Sequence, residues 1–269
     1  MKIAVLILGY LWRFVDFMHS TTRQKEILKT VRSKGLCTIL ELADQFSVSD
    51  ETVRRDVKPM VSAGLVEKVH GGIVVPDEDH EPPFQRRMVE NQDAKQKIGL
   101  ALSKIIHSGD SLILDTGSTT AIAAHALHEH SNLLVVTNSV ETARALATRN
   151  GNRVYIAGGE LRADDAAAFG PSAIAFVEQF DVKYAVLSLG GLDPVKGLMV
   201  DHLEEAEFSR TIMAQAQKTI VVVDQSKFNR SRLVKVGPLK GIDILITDAE
   251  PDKELARCLS DAEVDVVIA

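Results

Sequence analysis

The stretch ILELADQFSVSDETVRRDVKPMVSAGLVEKVHGG, residues Ile39–Gly72, decides the fold of the first part of the chain. Thr38 and Glu41 have the spacing of a capping box, which predicts that a helix begins here. A two-residue turn follows, and Ser49 precedes two acidic residues, as expected where a second helix begins. The stretch therefore predicts two short helices around a tight turn, followed by a hairpin over residues 66–74.

Helical periodicity divides both helices into an apolar and a polar side. The side chains expected to be buried are Leu40, Leu42, Ala43 and Phe46 on the first helix and Val53, Val57 and Met60 on the second. Pro59 has no amide hydrogen and clashes with the carbonyl of Arg55, so we expect the second helix to bend or end near Lys58.

The polar side of the second helix carries paired arginines, Arg54 and Arg55. On the second helix of a helix-turn-helix, such arginines read the major groove, because a guanidinium bonds guanine bidentately or clamps phosphate. A surface ion pair between Glu51 and Arg55 is the alternative, and would contribute only a few tenths of a kcal/mol. The turn, the two caps and the hairpin together favour DNA binding. The residues predicted to face DNA here are Ser49, Thr52, Arg54, Arg55 and Lys58.

This part of the chain resembles the winged helix-turn-helix of DeoR/GlpR transcriptional regulators. The residues that carry the resemblance are Arg23, Gln24, Ile27, Leu28, Leu42, Ala43, Val48, Ser49, residues 52–56, Gly64, Leu65 and residues 70–72. The resemblance implies operator DNA as a partner and adds His70 of the wing to the DNA-binding residues.

Composition places the basic charge at the front of the chain. The 269 residues carry a formal net charge of -6, yet residues 20–75 hold nine Lys and Arg against seven Asp and Glu. The excess is small, so affinity for DNA would need two copies of the module or a few well-placed contacts. Cys37 and Cys258 have no metal-like spacing and indicate thiols of a reducing compartment, which predicts a cytoplasmic protein.

The first nineteen residues include an apolar run that imitates the start of a secretory signal. The run has about half the length of a membrane span, and Arg13 and Asp16 follow it directly. We therefore expect residues 1–19 to be a leader, with Met18 as the natural start and residues 1–17 outside the native protein. A membrane anchor is the alternative.

The remaining organisation predicts a DNA-binding domain over 20–75, a linker over 76–93 and an α/β domain over 94–269. Residues 76–83 are acidic and rich in proline, which is typical of a linker. Lys95 and Lys97, on the first predicted helix of the α/β domain, are expected to be solvated. The alternative is that a lysine at this entrance reaches an anion.

Short apolar runs alternate with helical stretches after residue 107, which predicts a doubly wound, mostly parallel sheet covered on both faces. The predicted strands are residues 112–114, 133–136, 154–156, 184–189, 219–223 and 242–246. Polar or glycine-rich segments follow all six strands. In an open parallel sheet these segments meet at one edge, where ligands bind.

The sharpest of these segments is Asp115-Thr-Gly-Ser-Thr-Thr120. Gly117 permits a tight turn, and a helix beginning near Thr119 would point free amides at the crevice, an arrangement that suits phosphate. The alternative is an ordinary capped turn. A Walker lysine and a three-glycine fingerprint are both missing, so neither ATP nor NAD is predicted, and no cofactor or metal is expected.

Further candidates lie in the other segments. Lys227 could supply a counter-charge or be an exposed loop lysine, and Asp193 and Glu205 could accept hydrogen bonds from sugar hydroxyls. Glu205 could instead be a surface carboxylate. The segments as a set resemble the effector domain of DeoR-type regulators, which is similar to ribose-5-phosphate isomerase and CoA transferase. The resemblance implies phosphate contacts from Gly117, Ser118, Thr119 and Thr120, with Asn138, Asp193, Glu205 and Lys227 as further candidates.

The same resemblance implies a phosphorylated sugar or polyol inducer, repression of a catabolic operon, and a homo-oligomer, either dimer or tetramer. A catalytic sugar-phosphate isomerase with an attached DNA module is the alternative function. Isomerisation needs a paired acid and base. Lys196 lacks the glycine-rich setting that the isomerases give their lysine, so we expect a regulator and not an enzyme.

Overall fold

The computed structural model describes residues 22–69, 71–75 and 81–269. The chain forms two compact units, which divide between Arg86 and Arg87. The leader over residues 1–19, most of the acidic linker and the wing residue His70 lie outside the described residues. Among the described residues, none of the helices combines the length and the apolar character needed to cross a bilayer.

The first unit is a winged helix-turn-helix, as predicted. Three helices are followed by a hairpin, and a short strand after the first helix joins the hairpin in an antiparallel sheet of order β1-β3-β2. The elements are α1 (22–34), β1 (Leu36–Cys37), α2 (Ile39–Phe46), α3 (Asp50–Ser62), β2 (Glu67–Val69) and β3 (Gly72–Val74).

Both predicted caps are present. The Thr38 hydroxyl accepts the amide of Glu41 at 3.1 Å, the Glu41 carboxylate accepts the amide of Thr38 at 2.7 Å, and Ser49 accepts the amide of Thr52 at 3.2 Å. The expectation for Leu40 is wrong, because its side chain is 67% exposed. Leu40 lies two residues, about 200° around the helix, from the buried Leu42 and so faces solvent.

Helix α3 does not end near Lys58, one of the two outcomes expected from Pro59, because it continues to Ser62. Pro59 is exposed, so its ring points to solvent and its missing amide removes only one helical hydrogen bond. Met60 is buried in the core of the unit and holds the last turn in place.

A buried ion pair joins the first and third helices. Asp56 of α3 is 1% exposed, and its Oδ2 accepts a hydrogen bond from Nε of Arg23 at 2.5 Å. The side-chain amide of Gln24 also donates to the backbone oxygen of Asp56 at 3.2 Å. The pair orients α3, whose opposite side carries the arginines predicted to read DNA.

The second unit is built on a seven-stranded sheet of order β13-β12-β10-β7-β4-β5-β6, in which every pair is parallel. Helices cover both faces, since α5, α6 and α7 pack on one side and α8 and α9 on the other. The strands are β4 (Ser111–Leu114), β5 (Leu134–Thr137), β6 (Arg153–Ile156), β7 (Val182–Leu187), β10 (Ala216–Val222), β12 (Ile244–Thr247) and β13 (Asp265–Ile268).

All six predicted strands are confirmed, within a few residues at each end. The sequence did not predict β13 or a separate antiparallel sheet, β8 (Gly191–Asp193), β9 (Gly197–Val200) and β11 (Val234–Gly237). The helices are α4 (Phe84–Val89), α5 (Gln92–Ile105), α6 (Ser118–Ala126), α7 (Val140–Leu146), α8 (Pro171–Val177), α9 (Leu203–Ala214) and α10 (Lys253–Asp261).

The interval 76–93, expected to be a linker, contains ordered structure in its second half. Helix α4 occupies Phe84–Val89, and α5 begins at Gln92. The Phe84 side chain is almost fully buried, which ties down the start of α4. The acidic, proline-rich composition covers only the part of this interval that precedes α4, up to Pro83.

Replacing Asp56 with alanine should destabilise the first unit, because the Arg23 guanidinium would remain partly buried without its partner. We expect a loss of about 3–5 kcal/mol in the free energy of unfolding. Urea unfolding followed by circular dichroism measures it. Lys25→Ala, on the exposed side of the first helix, serves as the control. A change below about 1 kcal/mol for Asp56→Ala would show that the pair does not hold α3.

Candidate DNA-binding surface and anion site

The exposed side of α3 presents the predicted DNA-facing residues together. Arg54, Arg55 and Lys58 are exposed, whereas Val53 and Val57 lie on the buried side of the helix. At the start of the helix, the hydroxyls of Ser49 and Thr52 lie 2.8 Å apart. The arrangement places three cations and a hydroxyl pair within the first three turns, which suits contacts to base edges and phosphates.

A cleft of about 430 Å³ lies between α3, the start of α2 and the wing. Arg54 lines it from α3, and Lys68 lines it from β2. Lys68 is not among the predicted residues, although a lysine on a hairpin after such a helix is a signal for a wing contact. His70 lies outside the described residues, so its predicted role stays a prediction.

In the second unit, the order in which successive strands join the sheet reverses between the neighbouring strands β4 and β7. The chain goes from β4 to β5 and β6 on one side, and then returns to β7 on the other side of β4. Loops that leave two neighbouring strands in opposite directions open a crevice at their carboxyl ends. Across this crevice, the two carboxylate oxygens of Asp115 accept the amide of Ser188, at 3.2 and 3.1 Å.

Gly117 lies at the floor of this crevice, directly before α6. A Cβ added at Gly117 would lie 1.8 Å from Oγ of Ser188, so any larger residue would have to displace that hydroxyl. Helix α6 begins at Ser118, one residue before the predicted start, and has no side-chain cap. The amides of its first turn therefore have no helical partner and can bind an anion. The Thr120 hydroxyl donates to the Gly117 oxygen at 3.0 Å, which stiffens the turn.

Lys95 departs from the expectation that it is solvated, because its side chain is only 3% exposed. Gly99 of α5 packs against Ala123 of α6, and both helices begin at the carboxyl edge of the sheet. One turn before this contact lie Lys95 and Thr119, so the backbone of Lys95 is near the level of the first turn of α6. Lys95 Nζ donates to the backbone oxygen of Arg87.

Lys227 lies close to Lys95. It ends a short 3-10 helix, Gln225–Lys227, that follows β10, and its charge is one of those that act on the Lys95 amine. Burial is the main cause that lowers the pKa of Lys95 to about 8, the nearby carboxylate of Asp224 raises it, and Lys227 lowers it further. Two lysines thus lie close together, on the helix that packs against α6 and on the segment after β10.

Glu205 belongs to a separate cluster. Its Oε1 accepts a hydrogen bond from Nη2 of Arg162 at 2.6 Å, and the same guanidinium bonds both oxygens of Asp165. The hydroxyl of Thr116 donates to Asp165 Oδ2 at 3.4 Å, so this cluster flanks the loop that leads to Gly117. Sequence reasoning missed Arg162, since a single arginine in a loop carries no spacing signal.

The two remaining candidates make local contacts. Asn138 is fully buried, and its amide donates to the Ala168 oxygen at 3.1 Å. Asp193 caps the turn between β8 and β9, where its Oδ1 accepts the amides of Val195 and Lys196 at 2.9 and 2.8 Å. Burial raises the pKa of Asp193, but these hydrogen bonds outweigh burial and lower it overall. None of the contacts described for Asp193 joins it to the Gly117 loop.

Comparisons with known proteins give one matching family model for each of two parts of the chain. Residues 23–79 match the family model for a DeoR-like helix-turn-helix domain, and residues 90–249 match that for a DeoR C-terminal sensor domain. The glycerol-3-phosphate regulon repressor of Escherichia coli is 32% identical over 93% of this chain and 99% of its own length. The HTH-type transcriptional regulator IolR of Bacillus subtilis is 27% identical over 92% of this chain and 98% of its own.

Among solved structures, a D-ribose-5-phosphate isomerase in complex with phospho-erythronic acid is similar over 51% of this chain and 54% of its own. The TM-score is 0.38 and the sequence identity is 20%.

The protonation of Lys95 should set the pH dependence of anion binding. The amine attracts an anion only when charged, so affinity should be greatest below its pKa of about 8 and should be lost as the pH rises through that value. Between about pH 7 and pH 9 we expect a fall of roughly tenfold. Calorimetric titration with sulfate, whose own charge is constant over this range, measures it. Lys95→Met should remove the dependence and the matched Lys97→Met should keep it; equal slopes in both variants would contradict the assignment.

Proposed function

Because the chain belongs to the DeoR family of DNA-binding transcriptional regulators, we propose that it represses a sugar or polyol catabolic operon. A phosphorylated sugar or polyol, bound at the carboxyl edge of the sheet, relieves the repression. The observation that supports an anionic effector is the uncapped start of α6, which lies beside the helix that carries the buried Lys95. We further propose that the protein is cytoplasmic and acts as a dimer or tetramer.

In this proposal the phosphoryl group bonds the amides of Ser118 and Thr119 above Gly117, and Lys95 and Lys227 balance its charge. Asp115 and Thr120 shape the loop, since their side chains already bond the backbone around it. Asn138 supports the neighbouring loop through Ala168.

Operator DNA is bound by α3 and the wing of the first unit. Arg54 and Arg55 read base edges, Lys58 and Lys68 contact phosphate, and Ser49 and Thr52 position the start of α3. A pair of half-sites read by two copies compensates for the small basic excess of one copy.

The chain is a regulator and not an enzyme, in keeping with its relatives. The two groups that an isomerase alternative would use are occupied in the hairpin between β8 and β9. Asp193 holds the amides of the turn, and Lys196 Nζ donates to Ser231 Oγ at 2.6 Å. Neither is positioned as a free acid or base.

Regulation follows from linkage between the two ligands. An effector that binds the state with low operator affinity more tightly must weaken operator binding by the same factor. A coupling of about 2 to 3 kcal/mol changes affinity by roughly 30- to 150-fold, which is enough for induction.

Titration of sugar and polyol phosphates into an operator-shift assay tests this proposal. We expect at least one of them to release the operator from the wild-type protein. Gly117→Val should abolish the response and leave operator affinity within about twofold, because its side chain would collide with Ser188. Gly237→Val, where an added Cβ meets nothing within 4 Å, is the matched control. Release by no phosphate ligand would contradict the proposed effector class.

Arg55→Gln should have the opposite effect. We expect operator affinity to fall by about 1–3 kcal/mol, with relaxed specificity at the base that Arg55 reads, and effector affinity to stay unchanged. Fluorescence anisotropy with labelled operator and its single-base variants measures operator affinity and specificity, and calorimetric titration measures effector affinity. Arg32→Gln, an exposed arginine on the first helix, is the control. Wild-type affinity for Arg55→Gln would remove this residue from the DNA surface.

A further inference from the structure

The guanidinium of Arg162 is held by two carboxylates and by an aromatic ring. Its Nε lies 3.1 Å from Asp165 Oδ1, its Nη2 bonds the second oxygen of Asp165, and the same Nη2 reaches Glu205. The guanidinium lies over the ring of Phe169, 4.5 Å from its centroid. The contacts come from α9 and from two positions in the loop after β6, so several parts of the unit fix this one side chain.

The third nitrogen of the guanidinium is not used in this arrangement. Nη1 is buried and has no hydrogen-bond partner among the described residues. Buried donors without an acceptor are destabilising and rare in folded proteins. Arg162 therefore keeps one donor group that an oxygen from outside the chain would satisfy.

The charge of the cluster indicates which chemical group would supply the oxygen that accepts a hydrogen bond from Nη1. Burial opposes the charged form of Arg162, but Asp165 and Glu205 outweigh it and hold the pKa of Arg162 above its ordinary value. One guanidinium and two carboxylates then leave a net charge of one negative unit. A phosphoryl group would be repelled here, whereas a hydroxyl accepts from Nη1 and donates to a carboxylate.

The position of the cluster matches that role. Thr116 bonds Asp165 and directly precedes Gly117, so the cluster adjoins the loop that leads to the start of α6. Lys95 and Lys227 provide positive charge on the side of α5 and β10. A ligand with an anionic end and a hydroxyl-bearing end would therefore meet two sites, a positively charged one suited to the anionic end and a negatively charged one suited to the hydroxyls.

We propose that Arg162 is a specificity-determining residue that binds the hydroxyl-bearing body of the effector, while the phosphoryl group binds at the start of α6. Glu205 accepts a hydrogen bond from the same body, and Asp165 is a positioning residue that holds Arg162. The inference rests on the proposed function, since it assigns the second half of the same effector site.

Calorimetric titration of the full-length protein tests the inference, with inorganic phosphate, glycerol 3-phosphate and a set of hexose monophosphates as probes. The quantity compared is the ratio of the affinity of the tightest polyol or sugar phosphate to that of inorganic phosphate. Arg162→Gln should lower this ratio at least tenfold. Arg144→Gln, which removes an exposed arginine paired with Glu141, should leave the ratio unchanged.

A ratio that stays within threefold of wild type in Arg162→Gln overturns the inference, as does a parallel loss of both affinities. If inorganic phosphate binds and no hydroxyl-bearing phosphate binds more tightly, the inference fails and the anion site stands. If none of the probes binds, the proposed function fails with it. Should thermal unfolding show that Arg162→Gln does not fold, Glu205→Gln decides by the same tenfold criterion, because it keeps the Arg162–Asp165 pair.

Discussion

The reversal of the chain between β4 and β7 is the constraint on which the second unit depends. Two adjacent parallel strands send their following loops in opposite directions, and the hydrogen bonds from the Ser188 amide to Asp115 hold those loops at a fixed spacing. That spacing is so close that a Cβ at residue 117 would displace the Ser188 hydroxyl. Helix α6 starts directly after this glycine, with buried residues and without a side-chain cap.

The charges around this crevice are unevenly distributed. Lys95 and Lys227 lie toward α5 and β10, while Arg162, Asp165 and Glu205 form a group of net negative charge toward α9. In the effector site that we propose, this difference would orient a ligand with its phosphoryl group toward the lysines and its polyol body toward Arg162. The first unit uses positive charge differently, as an exposed row along α3.

Much of the fold could be predicted from the sequence because the signals are local. The capping residues Thr38, Glu41 and Ser49 lie within three residues of the amides they bond, and six apolar runs matched six strands. The segment around Gly117 was recognisable for the same reason, since a strand, a glycine and a helix follow one another directly. The strand β13 and the small antiparallel sheet lacked so clear a pattern.

The sequence by itself determined the helix-turn-helix, the parallel sheet and the glycine turn, since each is specified by neighbours a few residues apart. Only the tertiary structure decided that Lys95 is buried and that Leu40 is exposed. It also decided that Arg162 is bonded to two carboxylates, one that precedes α8 in the chain and one that follows it. Burial and charge pairing depend on which distant segments pack together. Asp224 lies more than a hundred residues beyond the lysine whose pKa it raises, and no local pattern in the chain encodes that approach.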